Sequence, residues 1–145
     1  MQPDAPPVLA QLNLVVTDMA ASVAFYRRLG LTIDDTNPWS AYHTEVKMPG
    51  GFALELDTID FASRWNTGWH GQAGAANAVI GFNVPSRQAV DRIYGELTGA
   101  GHVGQQPPYD AFWGARYAVV EDPDGNPVGL MSPSEPAYRS TPPEP

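Results

Sequence analysis

The sequence predicts an α+β domain of two βαβββ modules, with curved mixed sheets around a concave pocket and helices on the outer face. Three observations carry this reading. A strand, a capped helix and a glycine stop occur twice in the same order, and each occurrence leads into strand-like segments joined by turn residues. Prolines crowd both ends: eight of the fifteen lie before residue 8 or after residue 132. Proline lacks an amide donor and resists regular pairing, so residues 1–7 and 134–145 read as extended tails. The domain then spans 8–133, with module one at 8–57, a linker at 58–77 and module two at 78–133.

Module one opens with a period-two strand, Gln11 to Val16, whose apolar face is Leu12, Leu14 and Val16. Thr17-Asp18 supplies a helix N-cap, Met19, Val23, Tyr26 and Leu29 share one helical face, and Gly30 ends the helix. Strands are expected at Leu31-Thr32-Ile33, from Tyr42 to Met48 and from Phe52 to Asp57, the last two joined by Pro49-Gly50-Gly51. Module two repeats the order. Its strand is Val79 to Val84, with Ile80, Phe82 and Val84 inward; Ser86 caps a helix striped by Val90, Ile93, Tyr94 and Leu97, and Gly101 stops it. Further strands are expected near Val103–Gln106, from Ala115 to Val120 and from Pro127 to Met131. Asp122-Pro123-Asp124-Gly125-Asn126 turns between the last two.

Composition narrows the function classes. The formal net charge of −8 repels phosphate backbones and argues against nucleic acid, while favouring a cationic ligand or simply solubility. No stretch approaches the roughly 18–20 apolar residues that span a bilayer, so no membrane partner is expected. The first residues carry neither a basic nor an apolar signal region, and there is no cysteine for a disulfide, thiolate site or nucleophile. A cytoplasmic location is the expectation. Neither a Gly-x-Ser-x-Gly elbow nor a phosphate-cradling Gly-rich loop with Lys-Ser/Thr occurs. Asp34-Asp35 point to opposite faces of an extended segment and Asp122/Asp124 belong to a turn, so both carboxylate pairs read as structural.

Two segments support a family resemblance. Val16-Thr17-Asp18, Ser22-Val23-Ala24-Phe25-Tyr26 and Leu29-Gly30-Leu31 resemble the opening of vicinal-oxygen-chelate proteins, the glyoxalase, bleomycin-resistance and extradiol-dioxygenase group. Trp113-Gly114-Ala115-Arg116 through Asp122-Pro123-Asp124-Gly125-Asn126 to Leu130 resembles its close. The likeness covers about residues 8–133 and implies four metal-ligand positions, on the first and last strand of each module. Carried over, these fall on Gln11, Glu55, Val79 and Gly129. Valine and glycine side chains have no donor, so only Gln11 and Glu55 remain as weak metal candidates, and neither a metal nor another cofactor is expected. His43 stands on the strand beside Glu55 and reads either as a ligand or as a surface histidine; His70 and His102 read as loop histidines. Glu55 itself reads as a perturbed buried acid or as a polar residue lining a wet pocket.

Aromatic residues supply another chemistry. Trp39, Trp65, Trp69 and Trp113 all avoid the apolar helical stripes, and Trp113 follows Tyr109 and Phe112. Such rings at a rim stack on planar ligands and attract cations. Trp65 and Trp69 also suit an interface between subunits. The resemblance, the missing donors and the acidity together point to the drug-binding resistance branch: a homodimeric protein that sequesters an antibiotic-like planar or cationic aromatic molecule without catalysis. The expected ligand-binding residues are Gln11, Asn13, Trp39, Tyr42, His43, Glu55, Trp65, Trp69, Tyr109, Phe112 and Trp113. The alternative is a metal-dependent lyase, isomerase or dioxygenase with a shell of Gln11, Glu55 and His43. A cofactor-free enzyme using Glu55 as general base is a third reading.

Overall fold

The computed structural model describes residue 6, residues 9–66 and residues 78–141. Trp69 and His70 lie outside these residues, as does most of the expected linker. Module one comprises β1 (Gln11–Val16), α1 (Met19–Leu29), β2 (His43–Lys47) and β3 (Ala53–Thr58), followed by α2 (Ile59–Trp65). Module two comprises β4 (Ile80–Asn83), α3 (Arg87–Gly99), β5 (Gly104–Asp110), β6 (Arg116–Glu121) and β7 (Pro127–Met131). The architecture is α+β with two mixed sheets, ordered β1-β3-β2 and β4-β7-β6-β5. In each module the first strand runs parallel to the last, β1 beside β3 and β4 beside β7, so the internal repeat extends to topology.

Local chemistry places the helices. Asp18 accepts from the Ala21 amide and Ser86 from the Ala89 amide, each satisfying a donor that the first helical turn leaves free. After α1, Gly30 donates to the Arg27 carbonyl and Leu31 to that of Tyr26, the paired bonds of a left-handed C-terminal stop. The apolar stripes behave as expected: Val23, Tyr26 and Leu29 on α1, and Val90, Ile93 and Leu97 on α3, are buried.

Some elements depart from expectation. Leu31-Thr32-Ile33 joins no sheet among the described residues. The Ile33 carbonyl accepts from the Arg27 guanidinium, and Asp34 accepts from both the amide and the hydroxyl of Thr36. These bonds curl the chain into an Asx turn instead of a ladder. Module one therefore has three strands where four were expected. In module two, β5 runs on to Asp110 beyond the expected Gln106, with register shifts on both sides of Gln106. Pro107 and Pro108 have no amide to give, which confines this run to an irregular edge. Residues 59–65, within the expected linker, form the helix α2, capped by Thr58 on the Phe61 amide.

The C-terminal segment is more than a plain extended tail. Pro136–Tyr138 form a 3-10 turn, Glu135 donates to the Gly114 carbonyl, and Ser140 donates to that of Phe112. Tyr138 receives the Arg87 guanidinium over its ring at 3.7 Å. Gly114 permits this approach: its φ is +99°, and a Cβ there would stand 2.6 Å from the Glu135 carbonyl oxygen.

The modules meet through their helices. Phe25 contacts the His102 ring, Tyr26 contacts Phe82, and the Thr17 hydroxyl donates to Asp124 at 2.7 Å. The Tyr26 hydroxyl donates to Asp122 at 2.7 Å, tying α1 to the turn that precedes β7. Residues of both modules thereby share one apolar core, which includes Leu14, Val16, Leu56, Val120, Val128 and Leu130. Each sheet keeps its second face for other work.

Candidate functional site

Strand alternation divides the first sheet cleanly. Leu14, Val16, Thr44, Val46, Leu54 and Leu56 are buried towards the core, and the intervening residues face the other way. That second face is polar: Gln11 and Asn13 on β1, Glu55 and Asp57 on β3, His43 and Glu45 on β2. Register sets the neighbours, with Asn13 beside Glu55, His43 beside Asp57, and Glu45 directly opposite Glu55.

Asp57 anchors the group although it is fully buried. A buried carboxylate requires donors; here Asn13 Nδ2 approaches Oδ2 at 3.0 Å and His43 Nδ1 shares a 2.5 Å bond with Oδ1. Gln11 Nε2 donates in turn to Asn13 Oδ1 at 2.8 Å. His43 is thus held with Nε2 directed to Glu55, 3.7 Å from Oε1. Gln11, Asn13, His43, Glu55, Asp57, Phe61 and Trp65 line one cavity of about 260 Å³. The structure therefore brings together five of the residues expected from sequence and adds Asp57 and Phe61, with Glu45 opposite Glu55 on the adjoining strand.

The Glu55 carboxyl is raised above its ordinary value, first by burial and then by the facing Glu45, with His43 opposing. A folded-state value above the unfolded one means that the folded chain holds this proton more tightly. Stability from this group is full below the unfolded value, about pH 4.3, and falls as pH rises through the raised folded value. Glu55→Gln is expected to raise the melting temperature at pH 7, with the gain vanishing near pH 4. Thermal unfolding of both proteins across that range checks it; an equal gain at every pH contradicts the assignment.

The other expected residues form separate groups. Trp39 lines a neighbouring cavity of about 360 Å³ with His43 and Glu45. Tyr42, in ring contact with Phe61, lines one of about 750 Å³ with Thr17, Asp60 and Arg64. Tyr109, Phe112 and Trp113 belong to module two and line none of these three cavities. They form an aromatic run with Tyr117: Tyr109 and Trp113 each meet the Tyr117 ring edge-on, and Phe112 meets Trp113. Burial, with a smaller contribution from Tyr109, pushes the Tyr117 phenol above its ordinary value.

The structure shows what stands at each of the four metal positions implied by the resemblance. In module two, Gly129 has no side chain, and its place is taken: a Cβ there would stand 2.9 Å from the Tyr117 hydroxyl and 3.3 Å from Val79 Cγ1. In module one, Gln11 Nε2 donates to Asn13 Oδ1, while a metal would take Gln11 Oε1. Of the four positions, only Gln11 and Glu55, both in module one, carry a side-chain donor atom.

A sequence model of the Glyoxalase/Bleomycin resistance protein/Dioxygenase superfamily matches residues 8–130. Among solved structures, a glyoxalase-related enzyme from Fulvimarina pelagi superposes with a TM-score of 0.74 at 21% identity, covering 87% of this chain and 88% of that one. A glyoxalase/bleomycin resistance protein/dioxygenase family enzyme from Burkholderia phytofirmans PsJN gives 0.71 at 19% identity, covering 86% and 97%. Lactoylglutathione lyase from Agrobacterium tumefaciens gives 0.63 at 20% identity, covering 89% and 96%. Identities this low speak for a common fold only. No curated protein matches the chain. No helix among the described residues is long and apolar enough to cross a membrane.

Proposed function

This chain belongs to the Glyoxalase/Bleomycin resistance protein/Dioxygenase superfamily, and on that premise we propose that it captures a planar, cationic aromatic molecule of antibiotic-like chemistry without transforming it. The observation that carries this reading is the exchange of a ligand position for an aromatic wall: Tyr117 closes the space at Gly129 and continues into Tyr109, Trp113 and Phe112. Stacking on such rings adds about 0.5–1.5 kcal/mol per pair beyond the area buried. The polar face of module one supplies negative charge through Glu45, Glu55 and Asp57, and the net charge of −8 draws cations towards it.

Both walls lie on sheet faces turned away from the shared core. In this reading two chains pair, the acidic wall of one against the aromatic wall of the other, to make two equivalent grooves. Protection of a cell follows by mass action in the cytoplasm, with neither nucleic acid nor membrane involved.

Titration with cationic anthraquinone-type, bleomycin-type and mitomycin-type compounds, followed by tryptophan fluorescence, tests the proposal. Saturable quenching at micromolar concentration is expected for at least one class, weaker for its neutral analogue. Absence of quenching by all three removes the proposal. The metal-dependent lyase, isomerase or dioxygenase reading gains one observation, the approach of His43 to Glu55. Turnover that appears only after adding Ni, Zn, Mn or Fe favours that reading over capture.

A further inference from the structure

Glu45 and Glu55 stand directly opposite each other in the antiparallel β2–β3 register. Like charges facing across a ladder destabilise it unless something positive lies between them. Beside them, His43 has one ring nitrogen committed: Nδ1 is bonded to the fully buried Asp57, whose other oxygen is held by Asn13. The remaining nitrogen, Nε2, lies 3.7 Å from Glu55 Oε1. One ligand atom from each of His43, Glu45 and Glu55 falls within 4.8 Å of the others.

We infer that His43, Glu45 and Glu55 form a divalent-cation site contained wholly within module one. One imidazole nitrogen and two carboxylate oxygens suit a borderline ion such as zinc, with water completing the shell. Asp57 does for His43 what outer carboxylates do for metal-bound histidines: it fixes the tautomer and aims the free nitrogen. Exposed Glu45 leaves a way in from solvent. The site differs from the arrangement spread over both modules, because it draws on β2, leaves the Gln11 amide with Asn13, and asks nothing of Val79 or Gly129. It uses none of the aromatic wall but shares Glu45 and Glu55 with the acidic wall. Zinc and a cationic ligand would therefore compete for the same carboxylates, and the two are told apart by measuring uptake of each alone.

Equilibrium dialysis of the full chain against zinc chloride alone tests the site, with nitrogen-15 spectra of the imidazole as a second readout. One ion per chain is expected, with the shift change at His43 Nε2 and not at Nδ1. Glu45→Gln and His43→Gln, both at partly exposed positions, are each expected to weaken binding at least tenfold with unchanged circular dichroism. Gln11→Ala is expected to bind zinc as the parent does. Asp57→Asn, if folded, loses affinity by about 10–100-fold. The inference is overturned by a parent that takes up no stoichiometric zinc, by unaltered uptake in the Glu45 and His43 variants, or by equal loss in Gln11→Ala. Quenching without zinc uptake sinks this site alone; zinc uptake without quenching sinks only the capture reading.

Discussion

Asp122→Ala is expected to destabilise the fold by about 4 kcal/mol. The side chain is buried and saturated: Oδ1 accepts from the amides of Asp124 and Asn126, while Oδ2 accepts from Asn126 Nδ2 and the Tyr26 hydroxyl. Alanine strands these donors together, and each buried donor left without a partner costs about 1–3 kcal/mol. The loss is also architectural, since one carboxylate shapes the turn before β7 and tethers it to α1. Tyr26→Phe separates the two roles. It removes the tether, keeps the ring and leaves the turn bonds, so about 1–2 kcal/mol is expected. Burial first, and then the Asp122 charge, push the Tyr26 phenol far above the ordinary tyrosine value, which keeps it a donor throughout the stable pH range. Urea unfolding of the two variants measures both losses. A loss under about 1 kcal/mol for Asp122→Ala, within the ordinary run of surface substitutions, would refute the tether.

That turn was legible in the sequence because its bonds are local. Asp122 reaches residues two and four positions ahead, and the Asp-Pro-Asp-Gly-Asn string announces such a geometry. The helix caps at Asp18 and Ser86 were legible for the same reason. The helix α2 was legible in principle, since Thr58 caps it and Asp60 sits favourably in its first turn; a short amphipathic stretch beside strong strand signals hid it. Asp57 was harder to find. Period two puts it on the same face as Glu55, but its importance comes from His43 and Asn13 on two different neighbouring strands, and only the register of three strands brings them together. Tyr117 was invisible for a related reason, because its place above Gly129 depends on a side chain that is absent from β7. The missed strand at Leu31–Ile33 shows the converse. Its pattern suits a strand, but Arg27, six residues back in the last turn of α1, claims the carbonyl that a ladder needs.

The division of acidic and aromatic walls between modules leads to the second large effect. Tyr109→Ala removes an exposed ring at the edge of the aromatic run, and Glu55→Gln removes charge from the acidic wall; each is expected to weaken ligand quenching about tenfold. The two residues lie on different sheets with no contact in common, so their effects add, and the double variant loses about a hundredfold. Co-refolding the two single variants in equal amounts then reports which chain supplies which wall. If grooves form between chains, a mixed dimer joins Glu55 of the Tyr109→Ala chain to Tyr109 of the Glu55→Gln chain. About a quarter of all grooves then regain full affinity, an equal share carry both defects, and the titration becomes multiphasic. If each groove is built within one chain, every groove keeps its own single defect and the mixture titrates as the average of its parents. Recovery of the tight phase therefore depends on geometry alone: two defective chains can repair one another only when the ligand is held between them.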